Sequence, residues 1–354
     1  MEDGRTTARL RHPGAVLPIL DPAVRPLWRD LSTVQLGLHP GAAVVGGLDA
    51  ASAALLRARS GGRDAGDPAD AAEELAGRAT DEAADPGTDD PAAAALRARL
   101  AELGVPTAAR SRELAATRRA ARAAATVRVE GAGRVGSTAA ALLAAAGVGR
   151  VLVEDPEPVG PTDTTPAGPR LRDLGRPRDV ACEAAIERHL ERDGPRRAAA
   201  TGSGRPDVVV LAPTQGPARA AARRLLHEGV PHLLAVVEGP YAVVGPFVLP
   251  GRSCCLHCTD LHRAARDPAW PRLLAQAEAA RGDAPPCDLG LATVAAAQAV
   301  VQVLALVDAG AGGAGSGSTG PATVGGTLET TLPDGLTRRR TWEPHPACGC
   351  RWAS

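Results

Sequence analysis

Two cysteine pairs about ninety residues apart, Cys255-Leu-His-Cys258 and Cys348-Gly-Cys350, constrain this chain more than any other feature. Each pair is a local chelate, and four thiolates suit a tetrahedral metal such as zinc. A metal joining the pairs ties the end of the sequence back to its middle. A closed tetrathiolate has no free coordination position, so the expected zinc stabilises and does not catalyse. The alternative is two buried cysteine pairs or two disulfides. Pro250-Gly-Arg and Pro344-His-Pro lead into the pairs and favour tight loops, which points to the metal. Cys254 is a rival for Cys255, and the two-residue spacing to Cys258 favours Cys255. Seven cysteines clustered this way fit a reducing cytoplasm better than a disulfide framework.

A second pattern begins at Thr126-Val-Arg-Val-Glu130, a short strand. It runs into Gly131-Ala-Gly133-Arg134-Val-Gly136, an apolar helix to Ala146 and a second strand, Val151 to Asp155. Strand, glycine-rich turn, helix, strand and terminal acid together make a dinucleotide-type βαβ unit. The glycines serve the turn. Asp155 either holds a ribose or caps the strand end, and Arg134 either meets phosphate or is solvated. A strand at Asp207–Ala212, a helix at Pro217–His227 and a strand at Leu233–Val237 continue the alternation, so a parallel sheet is expected.

Composition removes several chemistries. Lysine is absent, which rules out a P-loop lysine, a Schiff base or a lysine general base. The formal net charge is zero, so no bulk field favours nucleic acid or a membrane surface. Arg110–Arg122 is basic but lacks the aromatics of a nucleic-acid platform, and reads as a solvated helix or linker. Met1-Glu-Asp-Gly has no signal-peptide core, and no run reads as the ~18 apolar residues of a membrane span. Leu291–Val307 is expected to be a buried apolar helix.

Residues 33–46 alternate Val34, Leu36 and Leu38, turn at Pro40-Gly41 and continue with Val44-Val45, as in a β-hairpin. Asp49 is placed to cap a following helix, with further helices near 68–77 and 91–103 around an acidic stretch at 80–90. Hairpin plus helices is winged-helix-like. At the other end, a Gly/Ser linker at 310–320 precedes two strands joined at Pro333-Asp-Gly, a hairpin that delivers Cys348 and Cys350. The expected organisation is a winged-helix-like domain over 1–104, a linker helix over 105–125 and an α/β Rossmann-like domain over 126–354.

The order of these parts resembles the family of ThiF, MoeB and HesA, bacterial relatives of ubiquitin-activating enzymes, over about residues 126–350. That resemblance implies a nucleotide-binding fold with a mainly parallel sheet, structural zinc and relatives that pair as dimers. Active members adenylate the C-terminal carboxylate of a small protein with ATP and magnesium. Their D-x-D-x-V is kept as Asp155-Pro-Glu157-Pro-Val159, but their N-x-x-R-Q becomes Asp163-Thr-Thr-Pro166-Ala167. A family lysine falls near Arg178, and the magnesium-binding T-D-N becomes Pro213-Thr214-Gln215. The implied nucleotide set is thus Gly131, Gly133, Arg134, Gly136, Asp155 and Arg178, with no catalytic residue assigned.

The stretch from Cys255 through Asp267-Pro-Ala-Trp270-Pro, and the ending Trp342 to Trp352, look like actinobacterial ThiF-like proteins of thiazole/oxazole-modified peptide biosynthesis. In that group an N-terminal winged-helix clamp takes the leader of a precursor peptide as an added strand. Here that implies an edge at Val34, Gln35 and Leu36, a leader-peptide partner and a cyclodehydratase-type enzyme beside it. Three readings follow: a catalytically reduced scaffold, an active ATP-dependent adenylyltransferase, or, on the glycines alone, an NAD-dependent oxidoreductase. The remaining candidates read as structural: Cys182 as helix core, Cys287 as a buried thiol or a reactive one, His257 and His262 as surface groups or substitute ligands, His345 as loop, and Trp28 and Trp270 as packing anchors.

Overall fold

The computed structural model describes residues 20, 24–57, 91–105, 107–190, 204–280, 287–311 and 320–350. The expected helix near 68–77, the acidic stretch at 80–90, and most of the 310–320 linker lie outside them. The chain divides into two compact units, Met1–Ala116 and Thr117–Ser354, with the division inside one helix, Ala108–Ala124.

In the first unit, β1 (Pro26–Trp28), β2 (Val34–Leu36) and β3 (Val44–Val45) form an antiparallel sheet in the order β1-β2-β3. Helices α1 (Ala50–Arg57) and α2 (Pro91–Glu102) complete its described core. Val34, Leu36, Val45, Leu56, Leu96 and Leu100 are buried together, and Trp28 packs against them half-buried. Asp49 caps α1 by accepting the Ser52 amide at 2.7 Å. The alternation expected through Leu38 ends at Leu36. Gly37 turns the chain with φ +93°, and Leu38 is exposed.

The edge expected at Val34, Gln35 and Leu36 is corrected by the pairing. β2 is the central strand, with Trp28 opposite Val34 on one side and Val45 opposite it on the other. Its backbone is consumed by the ladder. The Gln35 side chain is also engaged, accepting from Arg29 and donating to the Gly37 carbonyl. Among the described residues, the strands left with an outer side are β1 and β3.

The second unit opens with the end of α3 (Ala108–Ala124), followed by β4 (Thr126–Glu130), α4 (Arg134–Ala145) and β5 (Arg150–Glu154). Next come α5 (Arg178–Leu190), β6 (Val208–Leu211), α6 (Arg219–His227), β7 (His232–Glu238) and β8 (Tyr241–Val248). The helices α7 (Leu256–Arg266), α8 (Trp270–Ala279) and α9 (Leu289–Ala311) precede the hairpin β9 (Gly326–Thr331) and β10 (Thr337–Thr341).

The sheet order is β10-β9-β8-β7-β6-β4-β5. The strands β7, β6, β4 and β5, the last at the edge, are parallel, and β8, β9 and β10 extend them as an antiparallel meander. β8 was not anticipated because Gly245-Pro246 interrupts its pattern. The ladder absorbs them where pairing steps from Ala235–Val244 to Leu233–Phe247.

Alternate residues of the parallel strands enter two cores. Val127, Val129, Val210 and Leu233 face α4 and α9, while Val209, Leu211 and Leu234 face α6 and α7. By length and composition α9 could cross a bilayer. Instead its Leu291, Ala295, Ala299 and Val303 are buried against the sheet at helical spacing, as the sequence suggested for this segment. Arg122 of α3 chelates Asp308 of α9 with two hydrogen bonds, at 2.8 and 2.6 Å.

Candidate functional site

Two sites can be built from the second unit. The first is the thiol cluster. Cys255 caps the N-terminus of α7 and Cys258 lies in its first turn, so a helix rather than a loop presents this pair. The second pair follows the β9–β10 hairpin. Gly349, at φ +71°, turns the chain between Cys348 and Cys350 in a conformation that a side chain would resist. The four sulfurs lie within 4.8 Å of one another, with Cys255–Cys348 and Cys258–Cys350 at 3.5 Å and Cys255–Cys258 at 3.9 Å. A metal bound to four thiolates at ~2.3 Å requires sulfur–sulfur separations of about 3.8 Å, so the donor set fits such an ion.

With protons in place of a metal, the charge gathers on one sulfur. Cys258 receives the Cys255 thiol and the His345 amide, which draw its pKa down. Cys255 is pushed up by its bond to Cys258, and Cys348 is raised by burial. A divalent ion displaces the remaining protons.

Cys254 lies buried outside the cluster, in the core below, so the two-residue spacing identifies the right thiol. His262 bonds the Glu343 carbonyl and stacks edge-on against His345, and His257 is exposed on α7. Neither histidine belongs to the sulfur cluster.

The second site is the glycine loop. β5 continues from β4 on one side and β6 lies on the other, so the crevice at the C-terminal ends of β4 and β6 is where such sheets bind ligands. Gly131 has φ +96°, and a Cβ there would lie 2.1 Å from the Ala212 carbonyl oxygen. A Cβ on Gly136 would strike the Gly131 carbonyl, so both glycines are required by close packing. The Ala132 amide donates to Asp155 at 2.7 Å, which binds the turn to the end of β5.

The side chains lining this crevice pair with one another. A Cβ on Gly133 would meet the Thr214 methyl at 2.6 Å, so Thr214 lies directly over the loop. The buried Arg178 guanidinium donates to Asp163 at 2.8 Å, lies 3.5 Å from Asp155 and reaches the Thr214 hydroxyl at 3.4 Å. Asp163 also accepts the Gly160 amide at 2.8 Å. Arg134 turns out of the loop and donates to the Cys287 carbonyl. Two carboxylates therefore surround the one guanidinium, and the second cation points elsewhere.

Of the expected nucleotide set, the structure brings Gly131, Gly133, Gly136, Asp155 and Arg178 together and directs Arg134 away. Asp163 and Thr214 complete the crevice. Cys182, below Asp155, is fully buried and its thiol is pushed up to about 12 by burial, so it is helix core. Cys287 is half-buried and its pKa is also raised by burial, which argues against a reactive thiolate.

The family model for the ThiF family matches residues 111–350. No curated protein sequence matches the chain. Similar solved structures include Escherichia coli MccB with succinimide, at 15% identity and TM-score 0.62, covering 94% of this chain and 98% of that one. The Microcin C7 biosynthetic enzyme MccB in complex with N-formylated MccA matches at 14% identity and TM-score 0.64, covering 94% and 99%. E. coli MccB with ATP matches at 14% identity and TM-score 0.64, covering 94% and 98%. At these identities the likeness establishes the fold.

Proposed function

The chain belongs to the ThiF family, and we propose that it is a catalytically reduced member that binds the leader of a precursor peptide and holds it for a separate azoline-forming enzyme of the cyclodehydratase class. The observation that carries the reduction is the pairing of the crevice's guanidinium, Arg178, with Asp155 and Asp163. Adenylation needs cations aimed at a triphosphate and a carboxylate free to hold magnesium. Arg178 is instead enclosed by Asp155 and Asp163, and an incoming phosphate would have to break both ion pairs. Thr214 stands where the family carries its magnesium ligand. ATP binding is accordingly weak or absent.

The peptide half of the reading draws on the small β-sheet unit ahead of the ThiF-like unit, and on MccB, whose structures include complexes with its peptide MccA. Backbone pairing with an added strand is open to β1 or β3. The thiol cluster is assigned a structural zinc, and a homodimer in the cytoplasm is the expected form. The second reading, an active adenylyltransferase for a carrier-protein C-terminus, is favoured by the retained glycines and Asp155.

The test is ATP–pyrophosphate exchange by the purified protein, beside titration of a labelled precursor peptide encoded next to its gene. The expected result is peptide binding unaffected by ATP, with no exchange. Exchange that disappears in Asp155→Ala would establish the adenylyltransferase instead.

A further inference from the structure

Thr214 has a second face. Beyond it, on the β6–β7 side, lies a cavity of about 560 Å³ roofed by α8. That volume is within the ~300–1,000 Å³ of ordinary ligand sites. Leu234 and Val236 of β7 and Val243 of β8 form its floor, and Leu273 and Ala277 of α8 form its roof. Leu273 is 48% exposed, an aliphatic wall residue left half in water.

The inner wall is charged. Arg219 chelates Asp260 at 2.7 and 2.8 Å, and the Trp270 indole donates to the same carboxylate at 3.2 Å. Arg263 stacks over the Trp270 ring at 5.0 Å and approaches Asp260 no closer than 3.8 Å. Two guanidiniums thus share one carboxylate whose acceptor positions are largely taken. Burial, and after it the neighbouring Arg219 charge, lower the Arg263 pKa against the opposing pull of Asp260 and Glu329. Glu238, the acid among the lining residues, is exposed at the rim.

We infer that this cavity is a dead-end subsite for an extended stretch of the precursor peptide, taking aliphatic side chains and an acidic group that pairs with Arg263. The inference rests on the peptide-binding reading above and names where part of that peptide goes. The end is closed because Thr214, bonded to Arg178 and seated on Gly133, separates the cavity from the glycine loop. A peptide held here is therefore bound without reference to a nucleotide.

The experiment uses full-length, metal-loaded protein and the probe acetyl-Leu-Glu-Leu-amide, with its Leu-Lys-Leu counterpart and octanoate as comparisons. Binding is read by tryptophan fluorescence and by amide hydrogen exchange. The acidic probe is expected to protect Trp270–Ala279, to bind about tenfold tighter than the lysine version, and to lose about tenfold in both Arg263→Gln and Leu273→Arg. Excess ATP should leave it bound. Protection of residues 131–136 with competition by ATP would overturn the inference, as would affinity unchanged in Leu273→Arg. Octanoate binding more tightly than either peptide would reassign the cavity to a lipid acid. A labelled precursor that binds wild type and Leu273→Arg alike would overturn the cavity assignment alone. A tripeptide that binds as expected while no precursor binds would instead overturn the peptide-scaffold reading.

Discussion

Gly131 shows how narrowly single residues define the crevice. Its φ of +96° lies in a region that side chains resist, and an added Cβ would meet the Ala212 carbonyl, a backbone atom of β6's outgoing chain that cannot rotate away. Gly131→Ala should therefore cost about 2–4 kcal/mol, combining backbone strain and overpacking. Thermal unfolding would report it, and a variant as stable as wild type would mean that the loop is not packed as described. Asp163 makes the complementary case. It buries one charge against Arg178 and caps the Gly160 turn, so Asp163→Asn keeps the turn while leaving the guanidinium only its longer ion pair with Asp155. Calorimetric titration of Asp163→Asn with ATP should show affinity at least about tenfold above wild type, since charge-assisted pairs of this kind are worth a kcal/mol or more. Equal, undetectable heats for both proteins, with Asp163→Asn folded, would place the block elsewhere. These residues were half legible. The glycines and Asp155 stood out by spacing, and Asp163 and Thr214 stood out only as departures from a family pattern. That Arg178 would turn inward depends on three segments meeting, which no local pattern encodes.

At the scale of elements, strands that alternate or run apolar were readable, and those interrupted or very short were not. β4 alternates Val127 and Val129 about Arg128, while β5, β6 and β7 carry apolar runs, and all four were found within a residue or two. β8 was hidden by Gly245-Pro246, β1 by Pro26 and its three-residue length, and α8 by Pro271 in its first turn. Missing β1 had a functional consequence, because it made β2 look like an edge. The start of β7 also carries a group that its apolar neighbours do not explain. His232 is fully buried, with Nδ1 on the Val230 carbonyl and Nε2 without a partner among the described residues. Burial holds its pKa below the ordinary value of 6.5, so the folded ring stays neutral while the unfolded one takes a proton as pH falls. The unfolded state then binds more protons, and stability present above about pH 6.5 is lost below it, by at most about 1.4 kcal/mol per pH unit. Melting temperature followed from pH 7.5 to about 5.5 should fall less in His232→Leu than in wild type. Parallel curves would show that the ring protonates equally in both states.

For the whole molecule, the thiol quartet is where sequence and structure agree most closely, because each pair is local and only the joining of the pairs is long-range. That joining distributes stability unevenly. The metal would close a loop from Cys258 to Cys348 that contains α8, α9 and the β9–β10 hairpin. The parallel strands β4 to β7 and helix α4 lie outside this loop, although they share their main core with α9. Removing the ion leaves four buried or half-buried thiols to share protons, with α7 and the hairpin held by Trp342, which donates to Thr327 and packs under Arg263 and Arg340. A structural metal contributes its binding free energy to folding. A loss of about 3 kcal/mol from a unit this size lowers Tm by about 6–12 °C. Chelation, and separately Cys348→Ser, should produce that drop together with faster amide exchange in residues 256–266 and 326–350, while β4 and α4 keep their protection. Elemental analysis should find about one zinc per chain before chelation and none after. Uniform loss of protection through β4 and α4 would show that the metal holds the entire fold together. No change on chelation, in protein shown to contain zinc, would mean that the thiol corner stands on its apolar contacts alone.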